Sequence, residues 1–373
     1  MGKLKVIYLD DEKESLTHPI KAKLELGDLI EIKLDKPKSF ELELDRLKEE
    51  LKNCDAIILD LQLDGPQEDL KNEAGEVFQV KYQAPPLAQM IRTMSSSGIL
   101  PDIPIVLCST ESKIRGTFSR DFTSHDLFDW TFLKDDINSE TIDKIVSLIS
   151  AYRVLKEKKN NYTDILNRDI SEVDERILSR FSGDENPITH EIARVIFKDI
   201  VQPNGILIDE LTLAARLGID ISESKEEWIA FEEKHLQSSR YNGIYCSSWR
   251  RWWNDRIIDV FEEITSENLP SLDAKSRVEL LIEKTEFKKL KVAKPIKLYE
   301  SSFFWNICEI TKKPLDPFEG FKINFRAEPK PWQDYFYVSL FAIVEHPDLI
   351  TKKGVKVHPT DIERLAIERK KID

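Results

Sequence analysis

The sequence predicts an α/β domain built on a doubly wound parallel sheet, followed by a mainly α-helical domain. Three observations predict it. Up to about residue 155, short apolar runs alternate with stretches of helical period, the pattern of a parallel sheet with helices on both faces. The runs are apolar without alternation, as strands buried on both faces are. Beyond residue 160 helical stretches dominate, and six of the seven tryptophans lie there.

The elements follow in order. "KVIYLDD" is a short strand that ends in acids. "SFELELDRLKEELKN" repeats apolar residues at Phe40, Leu44, Leu47 and Leu51, a helical spacing. "DAIILDL" is a strand, with Ala56, Ile57, Ile58 and Leu59 leading into Asp60. "PLAQMIRTMSSSG" is a helix that stops at Gly98. "IPIVLCST" and "WTFLKDD" are strands. "SETIDKIVSLISAYRVLKEKK" is a helix whose apolar positions Ile142, Ile145, Val146, Leu148, Ile149 and Leu155 cover more than one stripe. One face can serve the sheet and another a second domain. A polar run, "KEKKNNYTD", sets the boundary, giving domains at 1–157 and 158–373. The second domain carries helical stretches at 189–200, 209–217, 224–237, 250–264, 272–284 and 359–371. Residues 284 to 335 show no clean period.

Composition narrows the class. Hydrophobic residues make up 41% and charged residues 33%, as in a globular protein, and no run reaches the length of a membrane span. The N-terminus carries acids where a signal peptide would carry its apolar core. Cys54, Cys108, Cys246 and Cys308 are scattered and form no CxxC pair, which fits a reducing cytoplasm. Net charge is −13, and neither half has a basic excess. A domain that neutralises many phosphates is therefore not expected.

In a doubly wound sheet all strand exits share one rim. That rim would hold Asp10 and Asp11 after the first strand and Asp60 after the third. Ser109 and Thr110 would follow the fourth strand, and Lys134 the fifth. Three close carboxylates repel one another unless a cation sits among them, and all-oxygen ligands suit magnesium. A lysine and a hydroxyl opposite them can meet phosphoryl oxygens. An aspartate beside bound magnesium is a competent nucleophile toward phosphorus.

The ordered set "VIYLDDE", "AIILDLQLDG", "IVLCST" and "FLKDD" resembles the receiver domain of two-component response regulators over roughly residues 3 to 155. The resemblance implies a flavodoxin-like, five-stranded fold. It implies that Asp60 accepts a phosphoryl group from a histidine kinase. Asp11, with Asp10, would hold Mg2+ together with Asp60 and the backbone carbonyl of Gln62. Ser109 would be the switch hydroxyl, with Thr110 as the fallback, and Lys134 would pair with the phosphoryl group. Three departures stand out. Asp135 follows Lys134 where the family has proline. Thr131 holds the position of the family's switch aromatic, with Trp130 and Phe132 beside it. The stretch after Asp60 carries an insertion, "GPQEDLKNEAGEVFQVKYQAPP", of the length that is functional or disordered in compact domains.

The second half gives weaker signals. "LTLAARLGIDIS" resembles the first helix and turn of a helix-turn-helix. Its would-be recognition helix carries Glu223, Glu226 and Glu227, the wrong sign for phosphates. "SSRYNGIYCSSWRRWWNDR" interleaves Tyr241, Tyr245, Trp249, Trp252 and Trp253 with Arg250, Arg251 and Arg256. If a helix begins near Ser247, Trp249, Trp252, Trp253 and Arg256 share one face. Such a group is a hot spot for a protein partner, a platform for stacking on bases or, the favoured reading for most of them, core packing with arginines capping acids. The lysine run "KTEFKKLKVAKPIK" reads as a solvated face. None of the six histidines has metal-ligand spacing, and no GxSxG, Walker or dinucleotide motif is present.

These readings make the chain a response regulator and not an enzyme. It would accept phosphate at Asp60 and signal through a helical protein-interaction domain. Its partners would be a histidine kinase and a protein bound by the helical domain, with no membrane, no nucleic acid, and a homodimer left open. Two alternatives stand beside this: a phosphoryl sink or brake without an effector output, as in a bacterial defence system, and a DNA-binding transcriptional regulator.

Overall fold

A computed structural model describes residues 2–71, 77–116, 118, 122–181, 188–324 and 328–371. The chain forms two compact units. The first comprises Met1–Phe197 and Asn242–Trp249, the second Lys198–Tyr241 and Arg250–Asp373. The sequence boundary at residue 157 falls inside the first unit. Among the described residues no helix is long and apolar enough to cross a membrane.

The first unit is built on five parallel strands. They are β1 (Leu4–Leu9), β2 (Ile30–Asp35), β3 (Ala56–Asp60), β4 (Ile105–Ser109) and β5 (Trp130–Leu133), in the order β2-β1-β3-β4-β5. The helices are α1 (Glu14–Leu24), α2 (Phe40–Glu50), α3 (Ala84–Ser96), α4 (Glu111–Gly116) and α5 (Ser139–Lys158). One sheet face, with Ile7, Leu9, Ile57, Leu59, Ile105 and Leu107, packs with Leu47 of α2 and Leu87 and Ile91 of α3. The alternate residues Val6, Tyr8, Ile58, Val106 and Cys108 are buried as well. Burial on both faces is why these strands read as unbroken apolar runs.

Three of these elements escape the sequence reading: α4, six residues in a polar stretch, and α1 and β2. α1 carries Pro19 inside it, and β2, "IEIKLD", places charges among its apolar residues, so neither gives a clean period. The insertion after Asp60 is not a featureless loop. Gln67–Lys71 pairs antiparallel with Val77–Phe78, while residues 72–76 of the insertion lie outside the described residues. Beyond the hairpin, Val80 and Tyr82 are buried, and the Tyr82 hydroxyl donates to the Lys38 carbonyl at 2.8 Å.

α5 starts with a capping box between Asn138 and Thr141. Ile142, Ile145, Leu148, Ile149 and Leu155 are all buried, which accounts for its wide apolar surface. Part of that surface faces the Asn242–Trp249 segment. Ser147 Oγ and Ser247 Oγ are 2.9 Å apart, and Lys144 Nζ lies 5.9 Å from the centre of the Trp249 ring.

The second unit is mainly helical, with helices at Glu210–Leu217, Glu226–His235, Asn254–Thr265 and Ala274–Lys284. Gly218 ends the first of these in the left-handed region at φ 76°, and a Cβ there would strike the backbone of Ala274. The aperiodic stretch from 284 to 335 resolves into two-residue strands, Asn306–Ile307 with Pro314–Leu315 and Phe321–Lys322 with Tyr337–Val338. One expectation is corrected here. No helix runs from Ser247 through Arg256. Trp252 and Trp253 form a short strand against Leu207 and Ile208, and the helix starts only at Asn254. The core-packing reading holds for four of the five aromatics: Tyr241, Tyr245, Trp252 and Trp253 are buried, and Trp249 is half-buried.

Candidate functional site

Strand register assembles the site. β1 ends at Leu9, so Asp10 and Asp11 are the first residues past it. Asp60 and Ser109 are the last residues of β3 and β4, and Lys134 directly follows β5. Leu9 is level with Leu59, and Asp60 with Cys108, so all these exits open on one edge. One ligand oxygen each from Asp10, Asp11 and Asp60 lies within 4.8 Å of the others. Ser109 and Lys134 are buried with them. Gln62 and Thr110 are half-buried in the loops that leave β3 and β4, and the Thr110 hydroxyl lies 3.3 Å from that of Ser112.

The three acids are not equivalent. Asp10 is fully engaged. Its Oδ2 accepts from Lys134 Nζ at 2.7 Å and from the Tyr8 hydroxyl, and its Oδ1 accepts from the Glu12 backbone N–H at 2.9 Å. Asp11 Oδ2 accepts from the Gly65 backbone N–H, and a Cβ on Gly65 would fall on that oxygen. Glycine is what lets the start of the insertion close on this acid. Asp60 has no exposed surface, yet its Oδ1 accepts no hydrogen bond. Lys134 Nζ stands 3.3 Å from that oxygen. Among the described residues the buried Ser109 hydroxyl likewise has no hydrogen-bond partner.

Electrostatics follows from burial. Desolvation is the main influence on the Asp60 carboxyl; Lys134 opposes it and Asp10 adds to it, and the pKa is pushed up to about 6. Burial also raises the Asp11 carboxyl. Burial works against the Lys134 ammonium, but Asp10 and Asp60 more than offset it and hold its pKa above the usual lysine value. Tyr8, deeply buried beside Cys108 and Asp10, is raised far above an ordinary phenol and remains a proton donor.

Two residues that sequence reasoning did not assign complete the cluster. Glu12 Oε2 lies 3.0 Å from Lys134 Nζ. Lys113, in the first turn of α4, puts Nζ 3.5 Å from Asp60 Oδ2 and 3.7 Å from Glu12 Oε1. Glu12 was visible in "VIYLDDE" as the third acid of the run. Lys113 had no signal, since it lies in a polar stretch without period. Asp10, Asp11, Glu12 and Asp60 carry four negative charges against two on Lys113 and Lys134, a surplus of two (4 − 2). That surplus and the all-oxygen donors of Asp10, Asp11 and Asp60 fit a small, hard dication such as Mg2+.

Thr131 is half-buried in β5. The neighbouring Trp130 packs with Phe132 at 5.4 Å between ring centres and meets Trp249 edge-on at 6.2 Å.

No protein-family model matches the chain, and no curated protein does. Solved structures that resemble it are response regulators. A receiver domain protein from Clostridium thermocellum aligns over 41% of this chain and 98% of its own, at 14% identity and TM-score 0.28. ChrA, from a heme-sensing two-component system, aligns over 77% and 100%, at 11% identity and TM-score 0.26. RcsB of Salmonella typhimurium aligns over 76% and 92%, at 14% identity and TM-score 0.23. The strand order β2-β1-β3-β4-β5 with flanking helices is the flavodoxin-like doubly wound order that the resemblance implied.

Proposed function

We propose that this chain is a phosphoacceptor of a two-component relay, with Asp60 as the acceptor. One observation carries the reading: a fully buried carboxylate at the end of β3, clustered with two further acids and facing Lys134. The donor would be a phosphohistidine on a histidine kinase. An Asp60 oxygen forms a bond to phosphorus, the P–N bond breaks, and its electron pair stays on the imidazole, which takes a proton from solvent. Asp60 becomes an acyl phosphate. Asp11 and Asp60, with the Gln62 carbonyl and Asp10 beside them, would hold Mg2+, which supplies charge neutralisation at the phosphoryl oxygens. Lys134 offers a cation to the same group, and the Ser109 hydroxyl, free of other partners, donates to a phosphoryl oxygen. The second unit would act as a protein-binding output in the cytoplasm, without catalysis of its own. The test is labelling by acetyl phosphate with Mg2+. Wild type should form an acid-stable, hydroxylamine-sensitive adduct and Asp60→Asn none; equal labelling of the mutant removes the proposal.

A further inference from the structure

Asp60 has no exposed surface, so an incoming phosphoryl group must displace something. Among Asp10, Asp11, Glu12, Asp60, Lys113 and Lys134, the most open side chains are Lys113, 24% exposed, and Glu12, 27% exposed. They form the outer layer of the cluster. Lys113 lies within reach of Asp60 Oδ2, Lys134 within reach of Asp60 Oδ1, and Glu12 bridges the two ammoniums.

We infer that Lys113 is a second phosphoryl-binding cation, moving from Asp60 Oδ2 onto an oxygen of the group that Asp60 receives. The inference rests on the reading of Asp60 as the phosphoacceptor. Charge is the first reason. Phosphorylation replaces a singly charged carboxylate with a group of nearly two charges, in a site already crowded with acids. Lys134 is committed to Asp10 at 2.7 Å and to Glu12 at 3.0 Å, so it meets only part of the added charge. Position is the second reason. The two ammoniums approach different oxygens of Asp60, so a group attached there has a cation on each side. Lys113 also belongs to α4, directly after the strand that carries Ser109. Its shift would connect the phosphoryl group to α4 by a charge contact, in a chain whose aromatic switch position holds Thr131.

The experiment is calorimetric titration of the full-length protein, first with Mg2+ alone and then with beryllofluoride at saturating Mg2+, a non-covalent stand-in for the phosphoryl group. Wild type, Lys113→Met and Lys113→Arg are compared. Removing a cation from beside the acids should leave Mg2+ affinity equal or greater in Lys113→Met. Beryllofluoride affinity should fall about tenfold or more, as expected for losing one charge-assisted hydrogen bond. Lys113→Arg should recover most of it. Wild-type beryllofluoride affinity in Lys113→Met overturns the inference. So does a parallel loss of both affinities, which would mark Lys113 as merely structural. A wild type that binds no beryllofluoride would sink the reading of Asp60, and this inference with it.

Discussion

Asp60 in the first unit and Glu232 in the second are both buried carboxylates, and they are treated in opposite ways. Glu232 is saturated. It accepts from Arg240 Nε at 2.9 Å and Nη2 at 2.7 Å, from Arg250 Nη2 at 3.2 Å, and from Trp252 Nε1 at 3.2 Å. Each of its lone pairs is spoken for by the surrounding fold. Asp60 instead faces two ammoniums at 3.3 and 3.5 Å, with no hydrogen bond to Oδ1 among the described residues, and burial pushes its pKa up to about 6. Burial alone therefore does not separate a working acid from a structural one. What separates them is whether the fold satisfies the charge or leaves it for something that arrives later.

The comparison can be broken at Glu232 first, where the largest effect is expected. Glu232→Gln removes the charge that two arginines share and should destabilise the second unit by on the order of 3–5 kcal/mol. Urea unfolding followed by tryptophan fluorescence reads this. A change within about 0.5 kcal/mol, the range of an ordinary surface substitution, would mean that the pair is ornamental.

Asp60→Asn should do the reverse in metal-free protein at neutral pH. The folded-state pKa lies above the unfolded value, so below about pH 4 the group is protonated in both states and contributes nothing. As pH rises through 4 to 6 the unfolded chain ionises first, and the folded state loses ground. Replacing the acid should then stabilise the fold by on the order of 2 kcal/mol at pH 7.5, with the gain vanishing near pH 4. Thermal melts in chelator at both pH values check it. A destabilised Asp60→Asn at pH 7.5 would show that Lys134 and Lys113 already satisfy the charge.

The smallest effect sharpens the contrast within the site. Asp10 is occupied by Tyr8, Lys134 and the Glu12 N–H, whereas Asp11 accepts from the Gly65 N–H. Asp11 has fewer protein donors on it and an oxygen within 4.8 Å of one on Asp60, so Asp11→Ala should lose more Mg2+ affinity than Asp10→Ala in direct titration. The opposite order would reverse their roles.

Much of the first unit was legible because doubly buried strands are unambiguous in sequence, and strand ends fix Asp10, Asp11, Asp60, Ser109 and Lys134 without any knowledge of packing. Lys113 was not legible, because its role depends on where α4 places a flexible side chain. The hairpin in the insertion was missed since "QEDLK" lacks the alternation that marks a strand. In "WRRWW" the aromatic spacing imitates a helix. Pairing with Leu207 and Ile208 overrides it, as tertiary contacts override local preference in short elements.

The segment Asn242–Trp249 leaves the second unit's chain, joins the first unit and returns. Within the first unit Trp249 meets Phe197 at 4.7 Å between ring centres and Trp130 at 6.2 Å, and the Tyr245 hydroxyl donates to the Ala193 carbonyl at 3.1 Å. The polypeptide thus passes between the units three times, at 197/198, 241/242 and 249/250, where a simple tandem arrangement passes once. A single crossover in the gene cannot exchange one half for another without emptying the place that Trp249 fills. Residues 198–373 therefore carry a piece of the first unit, and the two halves should be inherited, expressed and lost as one.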